Sequence, residues 1–373
     1  MTRFSATTLQ RRQLLAAGGA LAAAGLAGLP AAVRAAQAEP LARLVLAGPP
    51  AIVSAPLIHM VETNALAGVA RKTEFALWRD PDQLRVMALG KKADVLATPS
   101  NVAANLYNRG AGLTLLAVAT WGALWIVTRD AQRRALADYR GEEIAVPFRG
   151  DMPDIMLQLL AAKQGMDVRR DMRIRYVPTP MEAMQLLITR RVHHALLAEP
   201  AVSMALRKTH SFPVSVIAPE LQRGADFQQE WGRLFQRAPR IPQAGIAAVG
   251  LLREQPAQLD AVLQAYAKSV AWCRANPLEC GRMMAARIEM LTPEAVADAI
   301  PASQLDSVAA GAARADIEFF FQQLFAREPA LLGGKLPDAA FFYSPAQPHA
   351  SLAWPASSHC GNLPGRPWIT TTT

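Results

Sequence analysis

The feature that most limits how this chain folds is an alternation. Short apolar, β-like runs trade places with helix-patterned runs, and the series starts again halfway along. Ala42–Gly48 predicts a strand followed by a helix from near Ser54. Lys72–Trp78 predicts a second strand, with a helix over Asp80–Leu89 that has Asp-Pro at its mouth. Ala93–Ala97 predicts a third strand, then a helix from about Ser100 to Tyr107. Leu113–Thr120 and Ala123–Thr128 continue the β character. The cycle then restarts with strands at Glu143–Phe148, Ile174–Val177, His194–Ala198 and Pro213–Ile217, and with helices at Asp151–Gly165, Met181–Thr189 and Ala201–Lys208 between them. Strands separated by single helical segments define an α/β fold.

The two cycles share wording at matching places. Leu96-Ala97-Thr98-Pro99 closes one strand and Leu197-Ala198-Glu199-Pro200 closes another. Each follows an amphipathic helix and precedes a further one, which points to two similar lobes. A polar stretch, Glu220–Gln243, leads to a β-like run at Gly245–Leu252. Four helices are then expected, at Pro256–Ala275, Pro277–Glu289, Pro293–Ile300 and Arg314–Arg327. Three of them open on Pro, which the first helical turn tolerates. From Ser344 on, Pro, Ser and Thr dominate without periodicity, so residues 344–373 read as a disordered tail.

The first 38 residues belong to a different category. They hold Arg3, Arg11, Arg12 and Arg34 and no acid. An Ala/Leu/Gly-rich run spans Leu14 to Val33, and Ala36-Gln37-Ala38 offers a small-residue cleavage site. That order is a secretory signal, and Thr8-Leu9-Gln10-Arg11-Arg12-Gln13-Leu14-Leu15 resembles the twin-arginine kind used to export folded proteins. A cleaved chain beginning at Glu39 is expected in the periplasm, with no lipid anchor, since no Cys lies near the cleavage site. Loss of the four arginines lowers the net charge from +9 to about +5. The remaining positive charge is spread along the chain. Nucleic-acid binding, which needs a concentrated basic face, is disfavoured.

At the level of local motifs, the sequence resembles the periplasmic substrate-binding proteins of the nitrate/sulfonate/taurine group. The shared features run in order: Ser54-Ala55-Pro56-Leu57, Leu89-Gly90-Lys91-Lys92-Ala93-Asp94-Val95, Tyr139-Arg140-Gly141-Glu142-Glu143-Ile144-Ala145-Val146, Ala198-Glu199-Pro200-Ala201, and the Ala275-Asn276-Pro277 break. They cover roughly Ala42 to Ala326. One departure stands out: Arg190-Arg191-Val192-His193-His194 occupies the place where the family carries Gly-x-(Val/Ile)-Asp. The resemblance implies a type 2 periplasmic binding protein fold: two Rossmann-like lobes joined by two hinge crossings, with the C-terminal helices packed on lobe 1. Lobe 1 is expected to comprise residues 39–126 and 243–330, and lobe 2 residues 127–242, with hinges near Leu124–Arg129 and Ala218–Gly245. It also implies a monomer that delivers a ligand to a membrane permease and ATPase of an ABC importer.

In open α/β sheets ligands bind beyond the carboxyl ends of the strands, where helix N-termini offer unpaired N–H groups suited to an anion. That logic selects Ser54, Thr98, Ser100, Asn101, Gly150, Asp151 and Glu199 as ligand-binding candidates, with Trp78 and Trp121 as flat apolar walls. Capping of the local helix is the competing role for Ser54, Thr98, Ser100, Asn101 and Asp151. Glu199 either opens a helix or contacts an amine or N–H of the ligand, and the two tryptophans serve equally well as core. The expected ligand is a small organic anion or zwitterion.

No Ser-His-Asp order, HExxH, CxxC, Walker loop or GxGxxG after a strand is present, so no catalytic site, cofactor or metal is expected. An exported enzyme or a ligand-sensing subunit on the same fold stays the alternative. Of the three cysteines, Cys273 and Cys280 flank Asn276-Pro277. One straight helix would hold them about 10 Å apart, too far to bridge. A break at Asn-Pro folds the ends together. The pair is therefore either a disulfide or two buried thiols, with Cys360 left over.

Overall fold

The computed structural model describes residues 39–210 and 220–345. The expected signal segment, the strand at Pro213–Ile217, Cys360 and the tail from residue 346 lie outside them. Among the described residues, eleven strands form two separate sheets. The first contains β1 (Leu44–Gly48), β2 (Thr73–Leu77), β3 (Val95–Pro99), β4 (Leu113–Thr120), β10 (Ala244–Val249) and β11 (Leu305–Ala309). The second contains β5 (Leu124–Thr128), β6 (Glu143–Pro147), β7 (Arg173–Val177), β8 (His194–Ala198) and β9 (Gln222–Asp226). Their orders are β11-β4-β10-β3-β1-β2 and β7-β6-β8-β5-β9.

Each sheet is built around the same unit. In the first, β1 pairs in parallel with β2 and β3, and β10 runs antiparallel beside β3. In the second, β6 pairs in parallel with β7 and β8, and β5 runs antiparallel beside β8. The matching segments ending at Pro99 and Pro200 thus close β3 and β8, equivalent strands of the two sheets. Central strands such as β1 and β5 are buried along their whole length. Their near-continuous apolar composition follows from having both faces covered, and each fully buried Leu, Val or Ile contributes about 1.5–3 kcal/mol.

The helices are α1 (Ala55–Glu62), α2 (Pro81–Leu89), α3 (Ser100–Asn108), α4 (Met152–Lys163), α5 (Val168–Asp171), α6 (Pro180–Ile188), α7 (Ala201–His210) and α8 (Phe227–Phe235). They continue with α9 (Pro256–Ala275), α10 (Pro277–Arg287), α11 (Pro293–Ala302) and α12 (Arg314–Arg327). The four expected C-terminal helices all form, and three open on Pro. The helices α9 and α10 pack on α1 of the first lobe, whereas α11 also packs on α7 of the second. Trp231 of α8 meets Phe319 and Phe320 of α12 edge to face. The C-terminal helices therefore pack on the first lobe as expected, and in addition reach the second.

The first lobe boundary also shifts. A division after residue 126 would cut β5, yet β5 pairs with β8 and β9 along its length. The first crossing is residues 121–123, between β4 and β5, and Leu124–Thr128 is a strand and no hinge. The second crossing is residues 236–243. Two hydrogen bonds tie the crossings together: Ile241 N donates to Trp121 O at 2.6 Å and Gln243 N to Thr120 O at 3.1 Å. Glycine is needed just beyond, because a Cβ at Gly245 would lie 1.9 Å from Ala117 O. The polar stretch Glu220–Gln243 holds an edge strand, β9, and the helix α8, neither of which its composition announces.

Candidate functional site

A cavity of about 320 Å³ lies between the two sheets. It is lined by the residues that follow all six parallel strands: Pro49–Val53 after β1, Trp78 and Arg79 after β2, and Thr98 and Pro99 at the end of β3. From the other lobe come Pro147 and Phe148 at β6, Thr179–Met181 after β7, and Ala198–Ala201 at β8. Equivalent strand order in both sheets aims both sets of carboxyl ends at one space, the position where open α/β sheets hold ligands. Leu291 and Ser303, flanking α11, add a third side.

Of the nine expected site residues, Trp78, Thr98, Asp151 and Glu199 line this cavity. Trp78 is nearly buried, and its indole Nε1 donates to Ala97 O at 3.2 Å, fixing the ring as a wall. Thr98 Oγ1 is turned towards Pro99 O, 3.2 Å away. Asp151 reaches across the cleft: its Oδ1 accepts from Arg85 Nη2 at 3.1 Å, joining α4 of one lobe to α2 of the other. The Asp151 side chain makes no cap to its own helix. Burial raises the Asp151 carboxyl above its ordinary value, and Arg85 opposes that rise.

Glu199 has a structural role. Its Oε1 accepts from Arg223 Nη2 at 2.5 Å and its Oε2 from Ser203 N at 3.0 Å, all within the second lobe. A carboxylate so held satisfies the first turn of α7, and both its oxygens are taken.

The other five do not line the cavity. Ser54 is fully buried and donates to Pro49 O at 2.6 Å. A Cβ at Gly48 would lie 2.2 Å from Ser54 Oγ, so the glycine that ends β1 makes room for this turn. Ser100 donates to Pro242 O at 2.6 Å while its backbone N donates to Gln243 O at 3.0 Å, so it clamps α3 to the second crossing. Asn101 is buried in α3. Trp121 is buried at the first crossing under the Arg240 guanidinium, 3.5 Å from the ring centre. Gly150 N donates to Asp154 Oδ2 at 2.8 Å, so its N–H is already used. His193 is exposed and His194 buried, on opposite sides as alternation requires.

Sequence reasoning missed Arg79, Phe148, Met152, Met181 and Leu291. Met181 was accessible to it, because Thr179-Pro180-Met181 follows an expected strand just as Thr98-Pro99 does. Phe148 had no such signal. It adopts φ 55°, in the left-handed region where a bulky residue is strained, and it lines the cavity from there.

The Asn276-Pro277 break brings the cysteines together. It separates α9 from α10 and sets the Cys273 and Cys280 sulfurs 2.7 Å apart, both fully buried. The hydrogen bond to the Cys280 sulfur, and burial after it, raise the Cys273 thiol far above its ordinary value.

No protein-family profile matches the sequence, and no curated protein sequence does. Solved structures do match. An ABC transporter structure from Parabacteroides distasonis is 21% identical, with a TM-score of 0.65 over 81% of this chain and 99% of the other. The periplasmic aliphatic sulphonate binding protein SsuA from Escherichia coli is 14% identical, with a TM-score of 0.61 over 88% and 98%. The periplasmic nitrate-binding protein NrtA from Synechocystis PCC 6803 is 14% identical, with a TM-score of 0.59 over 77% and 82%. The chain has the two-lobed fold of these periplasmic binding proteins.

Proposed function

We propose that this is an exported solute-binding protein that encloses one small molecule between its lobes and passes it to an ABC importer in the membrane. One observation carries the reading: the cavity is lined by the carboxyl ends of parallel strands from both lobes, which the chain connects through two hydrogen-bonded crossings and which the C-terminal helices and the Arg85–Asp151 pair bridge. A ligand held by both lobes favours the closed arrangement by its extra contacts there, and hinge closure is how such two-lobed proteins capture solutes. Lobe 1 then comprises residues 39–120 and 244–345, and lobe 2 residues 124–235. The fold shared with components of import systems supports the reading, as does the signal-like segment Arg11–Ala38. Among the described residues no helix is long and apolar enough to cross a membrane, so the permease and ATPase would be separate chains. The working unit is a periplasmic monomer.

The test is native mass spectrometry of the protein taken from its own periplasm, together with small-angle scattering before and after ligand removal. A stoichiometric small molecule whose loss expands the protein is the expected result. A ligand-free protein whose dimensions no extract of the growth medium changes would overturn the proposal.

A further inference from the structure

The cavity surface is mostly apolar, and several of its polar residues are engaged by protein partners. Glu199 is held by Arg223 and Ser203. Thr179 Oγ1 accepts from Glu182 N. Gln243 and Ser303 border the cavity, and the Gln243 Nε2 and Ser303 Oγ atoms are buried from solvent and without a hydrogen-bond partner. Most of the remaining lining is apolar, with Trp78, Phe148, Met152, Met181, Leu291 and a series of prolines, while Asp151 and Arg79 are its other charged members.

The mouths of α2, α4, α6 and α7 are poor anion sites for two reasons. Proline replaces a first-turn N–H donor: Pro81 in α2, Pro153 in α4 and Pro180 in α6. Protein carboxylates already occupy the positive ends. Asp80 accepts from Asp82 N and Gln83 N at the mouth of α2, Asp154 accepts from Gly150 N at α4, and Glu199 accepts from Ser203 N at α7. An incoming sulfonate or nitrate would meet these charges where an anion site offers free N–H groups. Among the described lining residues Arg79 is the one cation, and it is exposed at the rim.

We infer that the cavity takes a small, flat, uncharged and mostly apolar molecule, with Trp78 from one lobe and Phe148 from the other as walls. This rests on the solute-binding reading above and narrows it. It also replaces the anion or zwitterion expected from the sequence. Phe148 is held in left-handed backbone while lining the cavity, and strain of this kind is retained at ligand clamps.

The experiment is calorimetric titration of the mature protein, stripped of ligand by unfolding and refolding, with indole, benzenesulfonate, methanesulfonate and nitrate. Indole should bind at least tenfold more tightly than methanesulfonate or nitrate, and more tightly than benzenesulfonate. Two variants follow: F148G, which relieves the left-handed strain, and M181N, which puts an amide in the wall. Both should stay folded by thermal melting and bind indole at least fivefold more weakly. Tighter binding of the small anions, or indole affinity unchanged in both variants, would overturn the apolar assignment and leave solute capture standing. Saturable binding of none of the four, with no small molecule retained by the native protein, would overturn both.

Discussion

Arg223 and Glu199 meet at 2.5 Å, Nη2 to Oε1, inside the second lobe and at the edge of the cavity. The contact joins β9 to the start of α7, and Ser203 N takes the other carboxylate oxygen at 3.0 Å. It braces β9 against the start of α7 from within the second lobe.

Glu199→Gln should accordingly lower unfolding stability by about 1–3 kcal/mol, the range for losing a charged hydrogen-bond partner. Arg223 is partly exposed, so its charge regains some hydration. Ligand affinity should change less than threefold. Denaturant unfolding alongside titration separates the two effects, and an affinity loss without a stability loss would return Glu199 to the ligand.

Ser100→Ala removes the hydrogen bond to Pro242 O and so loosens α3 from the second crossing. A cost of about 0.5–1.5 kcal/mol in stability is expected, as for a neutral hydrogen bond. Because Ser100 does not line the cavity, direct ligand contacts should survive.

The Arg85–Asp151 pair spans the cleft, and its pH behaviour follows from the raised Asp151 carboxyl. A carboxyl raised by burial binds its proton more tightly in the closed state than when opened to water. The ionised form therefore costs the closed state at neutral pH. That cost fades as pH falls through the raised value, which lies above the ordinary 3.8. Ligand affinity should rise modestly as pH falls from 7 towards that window. Asp151→Asn should bind at least as tightly at pH 7 and lose this pH dependence, whereas Arg85→Ala should weaken binding by leaving a buried charge alone. Affinity of D151N falling severalfold at pH 7 would show that the pair stabilises closure.

For Cys273 and Cys280, the 2.7 Å separation of buried sulfurs predicts a bridge in an oxidising compartment. Thiol counting on denatured, unreduced protein from the periplasm should find one thiol, that of Cys360. Three thiols would show that the pair stays reduced.

Arg11→Lys with Arg12→Lys should abolish periplasmic accumulation if the paired arginines direct export. N-terminal sequencing of the parent should begin at Glu39. Undiminished yield in the double variant would exclude the twin-arginine route.

The fold was legible because its signals are periodic. Buried strands such as Leu44–Gly48 and Leu124–Thr128 read as continuous apolar runs, and Pro256, Pro277 and Pro293 mark helix starts outright. The misses lie where tertiary pairing overrides composition. Gln222–Asp226 is polar and becomes a strand only because β5 offers it an edge, and Leu305–Ala309 likewise completes the far side of β4. The site was half legible. Strand ends locate the cavity, but which oxygen at a strand end faces it depends on partners distant in sequence: Pro242 for Ser100, Arg223 for Glu199, Arg85 for Asp151. No local pattern records those partners. The left-handed Phe148 is less visible still, since an ordinary side chain conceals an uncommon backbone.

The place of β10 sets an order of assembly. It is the strand between β3 and β4, so until residues 244–249 are made the first sheet exists as two unjoined pieces. Every strand of the second sheet lies between residues 124 and 226 and is available earlier. On a growing chain the later-encoded lobe is thus the first able to complete itself, reversing the usual N-terminal-first order of domain folding. The lobe begun first stays open, with β3 and β4 lacking their shared neighbour, until that strand emerges.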